Sequence, residues 1–168
     1  MRPASYWIEK LQLTPHVEGG AFRQVYQSEL VLPKTALPLF FNGPRAVSTS
    51  IYFLLTAGQF SAFHRIASDE LWHFYSGDTL LIYEIGHSGR LIEHRLGADP
   101  EKGESFQTVI PAGSWFASIP APDSRYTLVG CTVAPGFDFS EFELADRNSL
   151  SGRYPEYAGL IRRLTRDQ

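Results

Sequence analysis

The fold is decided by the stretch Gly58-Gln59-Phe60-Ser61-Ala62-Phe63-His64-Arg65-Ile66-Ala67-Ser68-Asp69-Glu70-Leu71-Trp72-His73-Phe74-Tyr75-Ser76-Gly77. Read as two extended strands, it places His64 and Ile66 on one face of the first, and Glu70 and Trp72 on one face of the second. If both faces line one interior, His64 and Glu70 meet inside it. An imidazole and a carboxylate in a partly dry cavity can bind a metal, transfer a proton or hydrogen-bond a ligand, and they can also form a purely structural pair.

Short segments rich in β-branched and aromatic residues recur along the rest of the chain, separated by turn-forming Gly, Pro, Asp and Ser. Strands are predicted at 19–28, 47–55, 59–66, 71–75, 80–85, 90–96, 105–110, 115–119 and 126–133. Amphipathic spacing predicts helices at 3–13 and 156–166. Strands of this number and spacing are typical of a sandwich, barrel or jelly roll, so we predict an all-β fold with short N- and C-terminal helices.

The longest irregular connection covers residues 30–46, where Pro33, Pro38, Gly43 and Pro44 interrupt any regular pattern. A loop of this length in a compact domain often serves as a lid or as an arm that binds a partner. The sequence leaves both roles open.

Composition narrows the class of protein. A length of 168 residues fits a single domain spanning 1–168, at ~150 residues per domain. The net charge of −3, with no stripe of Lys and Arg, argues against a nucleic-acid partner. Apolar runs stay well short of the ~20 residues of a spanning helix, so we expect no membrane association and a cytoplasmic location. The single cysteine, Cys131, lies between Val129 and Val133 and should be a buried, inert thiol.

The stretch from Gly58 to Gly77 has the pattern Gly-x5-His-x-Ile-x3-Glu-x6-Gly and resembles the first cupin motif, which has a second His where this chain has Ile66. The second cupin motif is echoed from Pro111 to Phe116, where Phe116 replaces a His. A resemblance to one cupin subfamily of unassigned function extends over residues 3–155. It rests on the runs Glu18-Gly19-Gly20, Ser50-Ile51-Tyr52-Phe53-Leu54-Leu55, Ser68-Asp69-Glu70-Leu71-Trp72-His73 and Val129-Gly130-Cys131-Thr132-Val133-Ala134-Pro135-Gly136-Phe137-Asp138-Phe139. The resemblance implies a single-domain cupin jelly-roll β-barrel, commonly a homodimer, with a ligand cavity at its wide mouth.

Metal cupins supply three His and one Glu, and only His64 and Glu70 match those positions here. Two protein ligands fall short of the three that a catalytic zinc or a facial iron triad requires. His73 falls on the opposite strand face from Glu70. We therefore predict no resident cofactor, with His64 and Glu70 as the ligands of a weakly bound divalent metal if one is present. A metal-dependent oxygenase or isomerase is the alternative.

Without a metal, the nearest precedent among cupins is sugar-nucleotide epimerisation, in which a His removes a proton beside a carbonyl and a Tyr returns one. By this resemblance the predicted catalytic residues are His64 as base, Glu70 as the group that orients its ring, and Tyr52 as acid. Tyr83 and Tyr126 are equally possible acids. Gln24 stands where the subfamily has Glu, so acid-base chemistry is weakened there if Gln24 faces the pocket.

Aromatic residues near the motifs offer stacking faces for a sugar or flat ligand, and polar residues offer groups that can bind a phosphate or carboxylate. The predicted ligand-binding residues are Arg23, Arg65, Trp72, Phe74, Gln107, Trp115 and Phe116. The sequence thus predicts a protein that binds a sugar, a nucleotide-sugar or a similar metabolite, with metal-independent epimerase or isomerase chemistry. A non-catalytic ligand-binding or interaction protein is the remaining alternative.

The outward strand positions are unusually apolar. Phe63, Leu71, His73 and Tyr75 fall on the faces that point away from the predicted interior. Because an apolar face of this kind is seldom left in water, another layer of the domain or a second subunit should cover it. We expect a homodimer.

Overall fold

Two facing β-sheets dominate the computed structural model, which describes residues 2–166. The strands are β1 (Thr14–Pro15), β2 (Ala21–Gln27), β3 (Val31–Leu32), β4 (Arg45–Ala46), β5 (Thr49–Thr56), β6 (Ser61–Arg65), β7 (Asp69–Gly77), β8 (Leu80–Ile85), β9 (Leu91–Leu96), β10 (Gln107–Ile110), β11 (Trp115–Pro120), β12 (Tyr126–Ala134) and β13 (Glu143–Leu144). The helices are α1 (Ala4–Lys10), α2 (Arg147–Arg153) and α3 (Ala158–Arg163). Every strand predicted from the sequence is present.

The strand order is that of a jelly roll. One sheet has the order β1-β2-β5-β12-β7-β10 and the other β13-β6-β11-β8-β9, so most successive strands cross from one sheet to the other. All paired strands in both sheets are antiparallel. The predicted all-β jelly roll with short terminal helices is therefore confirmed, as two separate sheets rather than a closed barrel.

The helices depart in detail from the prediction. The N-terminal helix ends at Lys10 rather than at residue 13, because Gln12 adopts a positive φ of +53°. Helix α2 was not predicted; Asp146 caps it by accepting a hydrogen bond from the Ser149 amide at 2.7 Å. Among the described helices, none has the length and apolar character needed to cross a membrane.

Strand alternation divides the apolar residues between the interior and the outer faces. Between the sheets lies a core of fully buried side chains that includes Phe53, Leu55, Trp72, Ile82 and Phe116. Each large apolar side chain buried in this way contributes roughly 1.5–3 kcal/mol of stability. This core fills the middle of the jelly roll and forms the floor of the cavity described below.

The C-terminal helices cover the outer face of the second sheet. Phe63 on β6 is fully buried there, in a cluster that includes Leu150 of α2 and Ile161 of α3. The expectation that Phe63 is covered is thus met by another layer of the same chain. On the outer face of the first sheet, Leu71 and His73 are half-buried and Tyr75 is 50% exposed.

Residues 30–46 form an arm beside the mouth of the jelly roll. The arm contains the short β3–β4 pair and a 3-10 turn at Lys34–Ala36. Several of its large apolar side chains are exposed, among them Leu30 (68%), Leu39 (96%) and Phe40 (60%). The buried Arg45, at its end, contacts the segment that follows β12.

Candidate functional site

A cavity opens between the two sheets at the end marked by the arm. Its volume is about 80 Å³, on a scale on which a single water molecule needs ~10–15 Å³. Its lining consists of His16, Glu18, Phe22, Gln24, Thr49, Ile51, His64, Ile66, Glu70, Cys131, Val133, Phe137, Phe139 and Phe142. The cavity is therefore small, four of its fourteen lining residues are phenylalanines, and its titratable side chains include two histidines and two glutamates.

The sheets place the motif residues at the cavity by alternation. His64 lies on the inward face of β6 and Glu70 on that of β7, and Ile51 and Cys131 face inward from β5 and β12. The prediction that His64 and Glu70 meet in one interior is confirmed, because both line this cavity and each influences the pKa of the other.

A tight turn adds a second carboxyl group. Gly19 and Gly20 have φ values of +119° and +73°, and a Cβ on Gly19 would overlap the Phe60 carbonyl oxygen, so only glycine fits there. This turn directs the buried side chain of Glu18 towards His64. The distance from Glu18 Oε2 to His64 Nε2 is 3.1 Å.

The backbone fixes the tautomer of His64. Its Nδ1 lies 2.7 Å from the Ala62 carbonyl oxygen, which can only accept, so Nδ1 carries a proton and donates it. When the ring is neutral, Nε2 has a lone pair and a protonated Glu18 donates a hydrogen bond to it. When the ring is an imidazolium, Nε2 carries the proton and the Glu18 carboxylate accepts the hydrogen bond. In both of these forms one proton lies between Glu18 and His64, and when that proton is lost the Glu18 carboxylate faces a bare Nε2.

The predicted role of Glu70 as the partner of His64 needs correction. The ring of His64 is oriented by the Ala62 carbonyl, and its free nitrogen meets Glu18, because the glycine turn brings Glu18 closer. Glu70 faces the same cavity as a second, separate carboxyl group. The cavity therefore holds one carboxyl–imidazole pair and, apart from it, a second carboxyl group.

Burial shifts the protonation of the cluster. Burial raises the pKa of Glu18 to about 7, against the opposing charge of His16. Burial also raises the pKa of Glu70 to about 7, and the neighbouring Glu18 adds to this while His64 opposes it. Burial lowers the pKa of His64, with Glu70 opposing. Because two carboxyls change charge near neutral pH, the site can both take and give protons there.

Two further groups adjoin the Glu70 carboxyl from the floor and the wall. The buried indole N–H of Trp72 lacks a hydrogen-bond acceptor among the described residues, and its proximity lowers the pKa of Glu70 against the effect of burial. The thiol of Cys131 acts in the same direction. Burial raises the pKa of Cys131 well above its usual value, so the prediction of a buried, unreactive thiol is supported.

Three phenylalanines on one segment form the rim. Phe137, Phe139 and Phe142 follow β12, with ring centroids 4.9–6.2 Å apart and ring planes 72–80° from parallel. The segment is fastened to the arm by the Arg45–Glu141 ion pair and by the Asn42 amide, which donates to Glu141 at 2.7 Å. The arm of residues 30–46 thus holds the aromatic rim in place.

None of the three candidate tyrosine acids lines the cavity. Tyr52 points outward from β5, between inward-facing Ile51 and Phe53, and its ring meets Tyr75 edge-on at 5.9 Å. Tyr83 packs against the cluster beneath the C-terminal helices. The hydroxyl of Tyr126 accepts a hydrogen bond from the Trp7 indole at 2.9 Å. The predicted placement of a tyrosine in the pocket is therefore wrong, because strand parity turns each of them away.

The predicted anion-binding residues also lie elsewhere. Arg23 is exposed on the outward side of β2 and donates to the Leu11 carbonyl at 3.3 Å. Arg65 pairs with Glu143 at 2.6 Å and lies over the ring of Trp115, 4.6 Å from its centroid, on the outer face. Gln107 is exposed and pairs with outward-facing His73. The described residues lining the cavity include no Lys or Arg.

Of the predicted aromatic residues, two support the cavity from below. Phe116 is buried with its ring centroid 4.1 Å from that of His64, and Trp72 is buried beside it at 6.3 Å. Phe74 lies farther down and borders a depression at the opposite end of the jelly roll. Trp115 faces outward. The expected aromatic pocket exists, but Phe22 and the rim phenylalanines supply its lining.

Sequence signals for Glu18 and the aromatic lining were only indirect. Glu18 and Phe22 lie in one stretch of the chain and Phe137 and Phe139 in another, and both stretches are far from His64. The paired glycines after Glu18 were the usable signal, since they indicate a tight turn at a defined point. Gln24 does line the cavity, so the carboxylate expected of the subfamily is absent there.

The donor set does not fit the metal of metal cupins. The free nitrogen of His64 faces Glu18, and the other two motif positions hold Ile66 and Phe116, which have no ligand atoms. His73 points outward and contacts the Thr132 hydroxyl at 3.2 Å. Across residues 2–166, no three His, Cys, Asp or Glu side chains are placed to hold one ion.

Several known proteins resemble the chain along most of its length. The yeast (Saccharomyces cerevisiae) uncharacterised protein YML079W is 30% identical over 149 residues, covering 80% of this chain and 71% of that protein. The crystal structure of protein SO0799 from Shewanella oneidensis is 39% identical, with a TM-score of 0.87 and full coverage of both chains. A hypothetical protein from Leishmania major is 32% identical, with a TM-score of 0.90 over 99% of this chain and 100% of that one.

A more distant likeness shows the fold alone. The structure of oxalate decarboxylase from Bacillus subtilis at pH 4.6 is 13% identical, with a TM-score of 0.54 over 92% of this chain and 37% of that one. The family model described as Cupin superfamily (DUF985) matches residues 5–145. Because this match covers most of the sequence, and the strand order is that of a jelly roll, the chain belongs to the Cupin superfamily (DUF985).

Proposed function

We propose that the cavity binds a small organic molecule and transfers protons to and from it without a metal, as an isomerase or epimerase does. The observation that carries this proposal is the 3.1 Å distance between Glu18 Oε2 and His64 Nε2, in a cavity that also holds Glu70. Both carboxyls have a pKa of about 7, close to the value that serves general acid-base catalysis at neutral pH.

The Glu18–His64 pair is suited to act as the base. When the shared proton resides on Nε2 of His64, Glu18 is a carboxylate facing an apolar cavity. It can then take a proton from a carbon next to a carbonyl group, while the Ala62 carbonyl holds the imidazolium ring in place. Protonated Glu70 can give a proton to the carbonyl oxygen or to the carbon. Glu70 thus fills the role that was predicted for a tyrosine.

The lining limits the ligand. The cavity is small, and two arginines of the neighbouring segments are already engaged, Arg45 with Glu141 and Arg65 with Glu143. A diphosphate would find only carboxyl groups and neutral groups among the described lining residues. Of the sugar and nucleotide-sugar ligands predicted from the sequence, this lining supports only a small one without phosphate groups.

Solvent exchange tests the proposal. Protein in deuterated buffer is incubated with small hydroxyketones and aldoses, beginning with dihydroxyacetone and xylose, and the carbon-bound hydrogen beside the carbonyl is followed by NMR. We expect exchange that falls by a factor of about 10²–10⁴ in Glu18→Gln and in His64→Gln. The matched controls are Glu143→Gln and His73→Gln, both outside the cavity, which should retain the wild-type rate.

Exchange that survives in Glu18→Gln and His64→Gln would contradict the proposal. Exchange that is lost on metal chelation and restored by a divalent ion would favour the metal-dependent alternative. If ligands raise the melting temperature but no exchange is seen, the protein binds without catalysing proton transfer.

We also propose that the chain forms a homodimer. Exposed apolar side chains lie on the arm, including Leu39 and Phe40, and on the outer face of the first sheet, including Tyr75 and Val109. A second copy is the simplest cover for surfaces of this kind. Light scattering should give twice the mass of one chain at micromolar concentration, and Leu39→Asp should shift it towards one chain. A wild-type monomer would contradict the proposal.

A further inference from the structure

The charges in the cavity do not balance. Glu18 and His64 share one proton, so together they are neutral while that proton is present. Glu70 is 8% exposed and takes part in none of the ion pairs formed within the described residues. An ionised carboxylate buried without a countercharge is unfavourable. The cavity therefore lacks one positive charge whenever Glu70 is ionised.

The other basic groups near the cavity do not supply that charge. His16 accepts a hydrogen bond at Nδ1 from the Glu18 amide at 3.3 Å, which is the arrangement of a neutral ring. When His16 is protonated, its charge faces the Glu18 carboxyl, 3.7 Å away, and forms no ion pair with Glu70. Arg166 donates to the Glu18 and Phe60 carbonyl oxygens at 3.1 and 3.3 Å, on the far side of the glycine turn. Arg45 at the rim is paired with Glu141. A cationic ligand would supply the missing charge and allow Glu70 to ionise inside the cavity.

The remaining lining is of the kind that receives organic cations. Phe22 and the rim residues Phe137, Phe139 and Phe142 line the cavity. The faces of aromatic rings carry negative potential and attract ammonium groups, especially alkylated ones that are weakly hydrated. The rim rings stand at 72–80° to one another, so a ligand beside them meets both faces and edges. A strongly hydrated metal ion would gain nothing from this lining.

We propose that the ligand is a small organic cation with an alkylated ammonium group, whose charge Glu70 balances and whose alkyl groups contact the phenylalanine rings. This inference rests on the proposed function, in that the same cavity is the ligand site, and it adds the charge and chemical class of the ligand. While Glu70 is ionised and balances the cation it does not donate a proton, so the two roles belong to different protonation states of Glu70. The volume open to water centres, about 80 Å³, accommodates a group of the size of trimethylammonium.

Calorimetry with a matched pair of probes tests the inference. Choline and its neutral isostere 3,3-dimethylbutan-1-ol have the same shape around the branched centre and differ in charge. At pH 8 we expect the wild-type protein to bind choline at least tenfold more tightly than the isostere. In Glu70→Gln the affinities for choline and for the isostere should become equal. The affinity for the isostere should be unchanged or improved, and this retained binding shows that the cavity is intact. Glu143→Gln, on the outer surface, should behave as the wild type does.

A second variant separates the rings from the carboxylate. Phe139→Leu keeps an apolar side chain at a position that is 58% exposed but removes the aromatic face. We expect it to weaken choline several-fold and to leave the isostere within twofold. Stronger binding of the isostere than of choline by the wild type would overturn the inference and leave the cavity as a site for neutral ligands. Failure of both probes to bind at millimolar concentration would overturn the inference, while the exchange measured with neutral hydroxyketones and aldoses would still decide the proposed function separately.

Discussion

The interior of the jelly roll contains two acid–histidine clusters, and they differ in how completely their polar atoms are paired. In the first, Glu84 accepts hydrogen bonds from Ser114 at 2.9 Å and from His94 at 2.8 Å, and the other nitrogen of His94 meets the Thr108 hydroxyl at 3.1 Å. In the second, Glu18 pairs with His64 and Glu70 is left facing the cavity. The residue types are the same and the surroundings are not.

The comparison shows why one cluster is structural and the other is a candidate site. A buried polar network in which each member has a partner stabilises a fixed arrangement and leaves nothing for a ligand to satisfy. The Glu84 network joins β8, β9 and β10 across the seam between the two sheets and lines no part of the cavity. The Glu18–His64–Glu70 cluster has unsatisfied capacity and space beside it.

The largest expected effect is on the paired cluster. Glu84→Ala leaves buried Ser114 and the partly exposed His94 without their acceptor inside the protein, and each group left unpaired in this way costs about 1–3 kcal/mol. Urea unfolding followed by circular dichroism measures the loss. As a control, Glu143→Ala removes an ion pair that is half-exposed and should cost at most about 1 kcal/mol. Equal effects of the two substitutions would mean that the Glu84 network is not structural.

Glu70→Gln should stabilise the protein at alkaline pH, whereas Glu84→Ala destabilises it. Because the pKa of Glu70 is about 7 in the folded protein and near 4.5 when unfolded, the folded state binds the proton more tightly, and ionisation of Glu70 destabilises it as pH rises from 4.5 to 7. Glutamine removes this penalty. The free energy of unfolding of the variant, minus that of the wild type, should therefore be about 3 kcal/mol larger at pH 8 than at pH 4. Unfolding at both pH values checks this; a variant less stable at pH 8 would show that Glu70 has a partner.

The rim gives a smaller and more local effect. Arg45→Gln removes the countercharge of Glu141, which should cost about 1–3 kcal/mol in the segment that carries Phe139 and Phe142. Hydrogen exchange of the backbone amides of 137–142 should become several-fold faster, while the amides of β11 keep their protection. Uniform acceleration across the sheets would mean that Arg45 stabilises the whole fold rather than the rim.

The smallest effect is expected at Tyr52. Its hydroxyl lies on the outer face of β5, so Tyr52→Phe should change the exchange rate of a substrate proton by less than about threefold, well below the ~10²-fold or more expected of a general acid. The NMR exchange measurement described for Glu18→Gln serves here too. A loss as large as that of Glu18→Gln would restore the tyrosine as acid and would break the assignment to Glu70.

Strand alternation explains how much of the site could be predicted. It placed His64 and Glu70 in one interior, because both lie on regular strands whose parity is fixed by local sequence. It could not place Glu18 or the rim phenylalanines, because these reach the cavity from a turn and a loop whose paths depend on distant contacts, such as those of Gly19 with Phe60 and Arg45 with Glu141. Parity also excludes Tyr52 and Trp115, but only once the register of each strand is known.

The proposed chemistry depends above all on the proton that Glu18 and His64 share in a site without a metal. Nitrogen-15 NMR of the His64 ring in metal-stripped protein tests this sharing most directly, with His64→Gln used to assign the signals. We expect Nδ1 to stay protonated throughout, the Nε2 signal to move with a midpoint near the Glu18 pKa of about 7, and Glu18→Gln to abolish this movement. A proton found on Nε2 with Nδ1 bare, or an Nε2 titration that Glu18→Gln leaves unchanged, would contradict the shared proton.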